Sequence, residues 1–326
     1  MTQEKNNSFR NTLFLIVVVV LVIMSLIGWY WSREPDALSI NTEHSQPLVI
    51  GATTTSALIN ITSTLLDKPG GYLRNDMTPP SIIMDNMSNW EYGVLTQVRD
   101  MSQTLRNDFS RSQSQSAEDS ALNLAFGKIN VDAKAWLFPA AEDEYRTSVK
   151  KLKDYLERLS DVNTPNAQFY ARADNLNSWL DLVNKRLGSI SQRLSASVGQ
   201  ERENTDLAGD SAATQSTEAP SQLSTKTPWN EIDDVFYEAR GTTWALVHLL
   251  RAIEVDFKHV LEKKNAAVSV KQIIRELEAS QEALWSPVIL NGSGFGLFAN
   301  HSLVMASYIS RANAAVIDLR SLLNQG

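Results

Sequence analysis

Two glycine- and proline-punctuated stretches of the chain gather the side chains best suited to binding or catalysis. The first begins at Asp67 and carries Asp85, Trp90, Glu91 and Tyr92. The second runs over 291–302 and carries Asn300 and His301 behind Gly292, Gly294 and Gly296. An acid beside Trp and Tyr is the composition of grooves that hold a sugar ring or a peptide, because the rings supply apolar contact area while the carboxylate accepts hydroxyl or amide hydrogens. A histidine titrates near neutrality and can move a proton. Asp85, Trp90, Glu91, Asn300 and His301 are therefore the candidate ligand-binding residues, on the condition that the two stretches meet in one concave pocket. The competing account is that aromatic residues beside Pro and Gly plug the end of a helical bundle.

Other combinations have plainer explanations. Ser148-Val149-Lys150-Lys151 matches the Ser-x-x-Lys of penicillin-binding enzymes, yet the Lys-Thr-Gly partner motif is missing, since Lys226-Thr227 is followed by Pro228. The glycines at 292, 294 and 296 have the wrong spacing for a dinucleotide or nucleotide loop and no strand before them, so a turn requiring positive φ accounts for them. Of the histidines His44, His248, His259 and His301, the middle two fall on one helix face but about 16 Å apart, too far to share a metal. No His-Glu-x-x-His is present, and no metal or other cofactor is expected. The acids Glu142, Asp143 and Glu144, and Asp233 with Asp234, lie where first helical turns are predicted, and the helix dipole explains them. With no cysteine in 326 residues, disulfides, thiolate metal sites and cysteine nucleophiles are excluded. A net charge of −7 makes nucleic acid a poor partner.

The elements that must position these residues are helical. Between Arg10 and Arg33 no residue is charged, and the segment is rich in Val, Leu and Ile, ending in Trp29, Tyr30 and Trp31. About 20 apolar residues span a bilayer as a helix, and aromatic rings mark its rim. The predicted topology is a short cytoplasmic tail (1–11), a signal anchor (12–32) and a periplasmic domain (33–326). Lys5 and Arg10 set the orientation against Glu34 and Asp36. The uninterrupted apolar core and the missing small-x-small site argue against a cleaved signal peptide.

Farther along, Phe169, Ala173, Leu176, Leu180, Val183, Leu187, Ile190 and Leu194 repeat at four-three spacing and predict a helix over 166–196 with a packed seam, opened by Thr164 and Pro165. A second helix is predicted from Pro228 to Lys264. The stretch 197–226, dense in Ser, Thr, Gln and Glu, reads as a disordered loop. Matching seams favour a long antiparallel hairpin with that loop at its tip over two domains. Further helices are predicted at 52–66, 90–109, 118–135, 141–160, from a capping box at Ser269 to a stop at Pro287, and over 301–323. Sustained period-two alternation is absent. The expected fold is all-α, a single transmembrane helix followed by an elongated helical-bundle ectodomain.

The anchor, the Leu66-Asp-Lys-Pro-Gly-Gly-Tyr-Leu73 block, the Asn89-Trp-Glu-Tyr-Gly-Val-Leu95 block and the Ala299-Asn-His-Ser-Leu303 block together resemble an uncharacterised bacterial membrane-anchored family catalogued as a domain of unknown function, number twenty-three thirty-three. The resemblance implies a Gram-negative envelope protein, and with the signal anchor and its charge flanks the expected location is the inner membrane. It carries no catalytic residues over. The expectation for function is a non-enzymatic scaffold or interaction module with an envelope protein as partner. The alternatives are an envelope enzyme or ligand-binding domain acting on peptidoglycan or lipid, and a sensory ectodomain working through a partner.

Overall fold

A computed structural model describes residues 2–38, 49–112, 117–161, 166–203, 222–286, 288–293 and 296–325. His44, the Thr164-Pro165 helix start, the Pro287 stop and the middle of the expected loop, 204–221, lie outside these. The described chain is mostly helical, with one short two-stranded ribbon and several loops between the helices. It divides into two compact units, residues 1–170 and 171–326.

In the first unit, α1 (Thr2–Trp31) contains a segment, Phe9–Trp31, long and apolar enough to cross a membrane. Helices α2 (Ala52–Asp67), α3 (Asp85–Thr104), α4 (Ser120–Ile129) and α5 (Ala141–Ser160) form a bundle in which α5 packs on both α2 and α4. Its core is built from Leu58, Ile61 and Leu65 of α2, Trp90, Val98 and Met101 of α3, and Tyr145, Leu152 and Tyr155 of α5. Helix α3 begins five residues before the expected start and runs on into a π-turn at Leu105–Phe109. The polar block from Asp85 is thus helix rather than loop. Asp119 caps α4 by accepting from the Ala121 and Leu122 amides, and Arg158 of α5 grips the same carboxylate at 2.8 Å.

The second unit holds α6 (Ala173–Ser195), α7 (Ile232–Asp256), α8 (Lys258–Lys263), α9 (Ala267–Ala279) and α10 (His301–Asn324). The seam Leu176, Leu180, Val183, Leu187, Ile190 and Leu194 is buried along α6 as expected. Its first member is not part of it. Phe169 and Tyr170 belong to the first unit, where the Phe169 ring packs 5.1 Å from that of Phe109 and the Tyr170 amide donates to the Phe109 carbonyl, so the helix opens only at Ala173. The main partner of the seam is α10, whose Ile309, Ala312, Val316 and Leu319 are fully buried. Helix α7 meets α6 chiefly near the connection, where Arg193 pairs with Glu238. From Gly241 to Leu250, α7 is buried on every face.

The expected disorder over 197–226 does not extend to its ends. β1 (Gln200–Glu203) pairs antiparallel with β2 (Gln222–Thr225) from Gln200↔Thr225 to Glu203↔Gln222. Such a ribbon needs no apolar side chains of its own, because α6 and α7 already bring its ends together and backbone hydrogen bonds do the pairing. The second long helix is likewise divided. It ends at Asp256, and α8 follows one residue later and ends at Lys263, two residues before Asn265, whose left-handed φ of 54° prevents the helix from continuing. With Ala266 buried there, α9 starts at Ala267, and Ser269 falls inside its first turn instead of capping it.

Candidate functional site

The first candidate block is organised around a buried ion pair. At the end of α2 the chain turns through Gly70 and Gly71, both at positive φ, and a Cβ on Gly70 would fall 2.7 Å from the Trp31 ring. The turn brings the Lys68 ammonium to 2.6 Å from Glu91 and to 2.6 Å from the Gly71 carbonyl. Glu91 also accepts from the Leu73 and Arg74 amides at 2.9 and 2.8 Å. Both charged side chains are sealed from solvent, at 1% and 0% exposure. Burial raises the Glu91 carboxyl to about 6, against the pull of Lys68 and the two amides.

The rest of the loop is fastened in the same manner. The Tyr72 hydroxyl donates to the Ala133 carbonyl at 3.0 Å, and burial beside Tyr145 raises its pKa. Asn75 donates to the Ala135 carbonyl and to Glu142. Arg74 donates to the Ser88 carbonyl and lies 4.3 Å over the Tyr92 ring. Trp90 is fully buried in the core. Asp85 alone of this set is exposed, at the start of α3, where its carboxylate accepts from the Asn86 amide.

The second block closes the entry to α10. The Asn300 side-chain oxygen accepts from the Leu303 amide, which makes it the N-cap, while its amide group donates to Asn291 and to the Gly292 carbonyl. His301 Nδ1 accepts from the Leu290 amide at 3.1 Å, and burial lowers its pKa. A Cβ on Gly292 would fall 2.1 Å from the Phe298 carbonyl oxygen. Neither Gly292 nor Gly296 is at positive φ, so close backbone approach, not the expected left-handed turn, requires glycine at 292.

Asp85, Trp90 and Glu91 thus belong to the first unit, and Asn300 and His301 to the second. The family model described as "Uncharacterized protein conserved in bacteria (DUF2333)" matches residues 3–326. The chain belongs to this family. No curated protein and no solved structure matches it.

In this DUF2333 chain the three short blocks noted in the sequence are fasteners of loops to helices. Sequence reasoning placed Glu91 among the ligand-binding candidates and passed over its partner Lys68, as well as the Asn75–Glu142 contact. The signal for Glu91 was available, since it continues the apolar face of Val94, Leu95, Val98 and Met101 at helical spacing, and an acid on such a face requires a partner. Of the remaining motifs, the Ser148 hydroxyl is buried and donates to the Ala125 carbonyl of α4, and Lys151 pairs with Asp154. His248 is buried against the Trp244 ring, and His259 is exposed. No group of three metal-ligating residues occurs among the described residues.

Proposed function

We propose that this protein is a single-pass anchor protein of the bacterial inner membrane, with its N-terminus in the cytoplasm and the remainder in the periplasm, that works by holding an envelope protein rather than by catalysis. The observation that carries this reading is a reversal of the usual placement of side chains. Lys68, Glu91, Asn75 and Asn300, which have the chemistry for a site, are spent inside on loop fastening. Trp229, Trp285, Leu297 and Phe298, which a monomer would bury, stand 85%, 95%, 101% and 73% exposed on the loops of the second unit. Exposed large aromatic and aliphatic residues are the usual anchors of protein interfaces. The same internal use of Glu91, Asn300 and His301, with Trp90 buried in the core, speaks against the alternative of an enzyme or ligand-binding domain acting on peptidoglycan or lipid through these residues and Asp85, which alone stays exposed.

A photo-crosslinking residue at Trp285 in the native envelope should give a discrete adduct that Leu297→Ser with Phe298→Ser abolishes. A reporter active only outside the cytoplasm should function when fused after Gly326. Absence of any adduct at Trp285, or activity of a cytoplasm-only reporter at that position, would overturn the reading.

A further inference from the structure

Two loops of the first unit expose apolar residues, and one of them lies against α1. Along α1, Met24, Ile27, Gly28 and Trp31 are half-covered, whereas their neighbours from Phe9 to Tyr30 are exposed. The spacing is that of one helix face. Its contacts come from the loops that follow α2: a Cβ on Gly28 would sit 3.7 Å from Pro80 and 3.9 Å from the Met84 sulfur, and the Trp31 ring lies against Gly70. Gly28 precedes the end of the apolar segment by three residues, about 4.5 Å along the helix axis. A loop that touches Gly28 therefore lies at the depth where headgroups give way to acyl chains. That loop, Met77-Thr-Pro-Pro-Ser-Ile-Ile-Met84, carries no charge, and Met77, Ile82 and Ile83 are 58%, 55% and 75% exposed.

The second loop is tied to the first. Asn75 holds the Ala135 carbonyl at 2.8 Å and Tyr72 holds that of Ala133, which fixes the turn containing Trp136, Leu137 and Phe138 next to the 68–84 segment. These three are 54%, 50% and 97% exposed. Nothing in the water-soluble role of a bundle requires six large apolar side chains to face outward on two tethered loops. Aromatic and aliphatic residues at headgroup level gain free energy by entering the acyl boundary, about 5–10 Å deep.

We infer that the loops 77–84 and 136–138 are a second membrane contact, inserted into the bilayer that α1 spans and seating the first unit directly on the lipid surface. This rests on the reading of α1 as a retained anchor. The occupant of the surface is lipid, because the helix that passes through the bilayer touches the 77–84 loop at Pro80 and Met84, and the 136–138 turn is tied to the segment leading into that loop. Insertion by uncharged side chains makes the contact indifferent to salt and to anionic lipid, unlike a basic patch.

The cysteine-free sequence gives the test, since any introduced cysteine is unique. Ile83→Cys and Phe138→Cys, each labelled with an environment-sensitive nitrobenzoxadiazole dye, are placed in the full-length protein in nanodiscs holding one copy. Quenching by a lipid with a doxyl group high on its acyl chain is then measured, with Val20→Cys in α1 and the exposed Val268→Cys of the second unit as references. Dyes at 83 and 138 should be quenched severalfold more than at 268. Quenching at 83 and 138 no greater than at 268, while the dye at 20 is quenched, would overturn the inference and leave the anchor intact. Dyes at 83 and 138 shielded from water but not quenched by lipid would also overturn it, in favour of protein contact. An unquenched dye at 20 would instead refute the anchor, and the inference with it.

Discussion

Replacing Lys68 with methionine keeps the length and apolar stem of the side chain and removes its charge. In the intact protein the Glu91 carboxylate receives three hydrogen bonds, from Lys68 at 2.6 Å and from two backbone amides at 2.9 and 2.8 Å. Without the ammonium, a carboxylate at 0% exposure keeps two dipolar donors and no counter-charge. Breaking a buried pair in this way costs about 3–5 kcal/mol. The cost depends on pH with a definite sign. Burial already raises Glu91 from 4.5 to about 6, and loss of Lys68 raises it further, so the folded state holds its proton where the unfolded state has released it. Stability from this group is therefore fully present below 4.5 and falls, by about 1.4 kcal/mol per pH unit, as pH rises toward the folded value. Lys68→Met should be tolerated at pH 5 and strongly destabilised at pH 8. Adding Glu91→Gln should recover part of the loss at pH 8, because the amide oxygen still accepts from one backbone N–H and no charge is left buried. Urea unfolding of the full-length protein in detergent, followed by circular dichroism, measures each variant. A loss below about 1 kcal/mol at pH 8, or one equal at pH 5 and 8, would refute a sealed ion pair as the fastener of this loop.

Two further outcomes test the second unit. Burial, helped by Arg251, lowers His248 from 6.5 to about 4, so the unfolded chain binds a proton there that the folded one refuses. Stability should be fully present above 6.5 and be lost as pH falls toward 4, by about 3 kcal/mol in all, and His248→Phe should flatten that acid limb in pH-dependent thermal melts. Leu187 lies at 0% exposure in the seam of α6, so Leu187→Asp should lower stability by about 4 kcal/mol or more through an unpaired buried charge. A melting point unmoved by that change would mean that the seam is not packed.

The helices were legible where apolar spacing alone defines them. The seam from Leu176 to Leu194 and the ranges of α2, α5 and α10 follow from the sequence nearly to the residue, because burial of one face is a local property of the pattern. What could not be read is every assignment made by a distant partner. Phe169 fits the heptad as well as Leu176 does, and it leaves the seam because Phe109, sixty residues earlier, offers an aromatic contact within the first unit, to which Phe169 itself belongs. The ribbon ends at Gln200 and Thr225 carry no strand signal and pair because two helices deliver them to each other.

The same limit governs the candidate site. Glu91 as a lone acid beside Trp90 and Tyr92 has the composition of a binding groove, and only the position of Lys68, twenty-three residues earlier, turns it into a structural clamp. A carboxylate that accepts three hydrogen bonds and excludes water has little capacity left for a ligand, whereas Ile83 and Phe138, to which sequence reasoning gave no role, keep 75% and 97% of their surfaces open for contact. For this chain the search for function therefore moves from its polar motifs to its uncovered apolar loops.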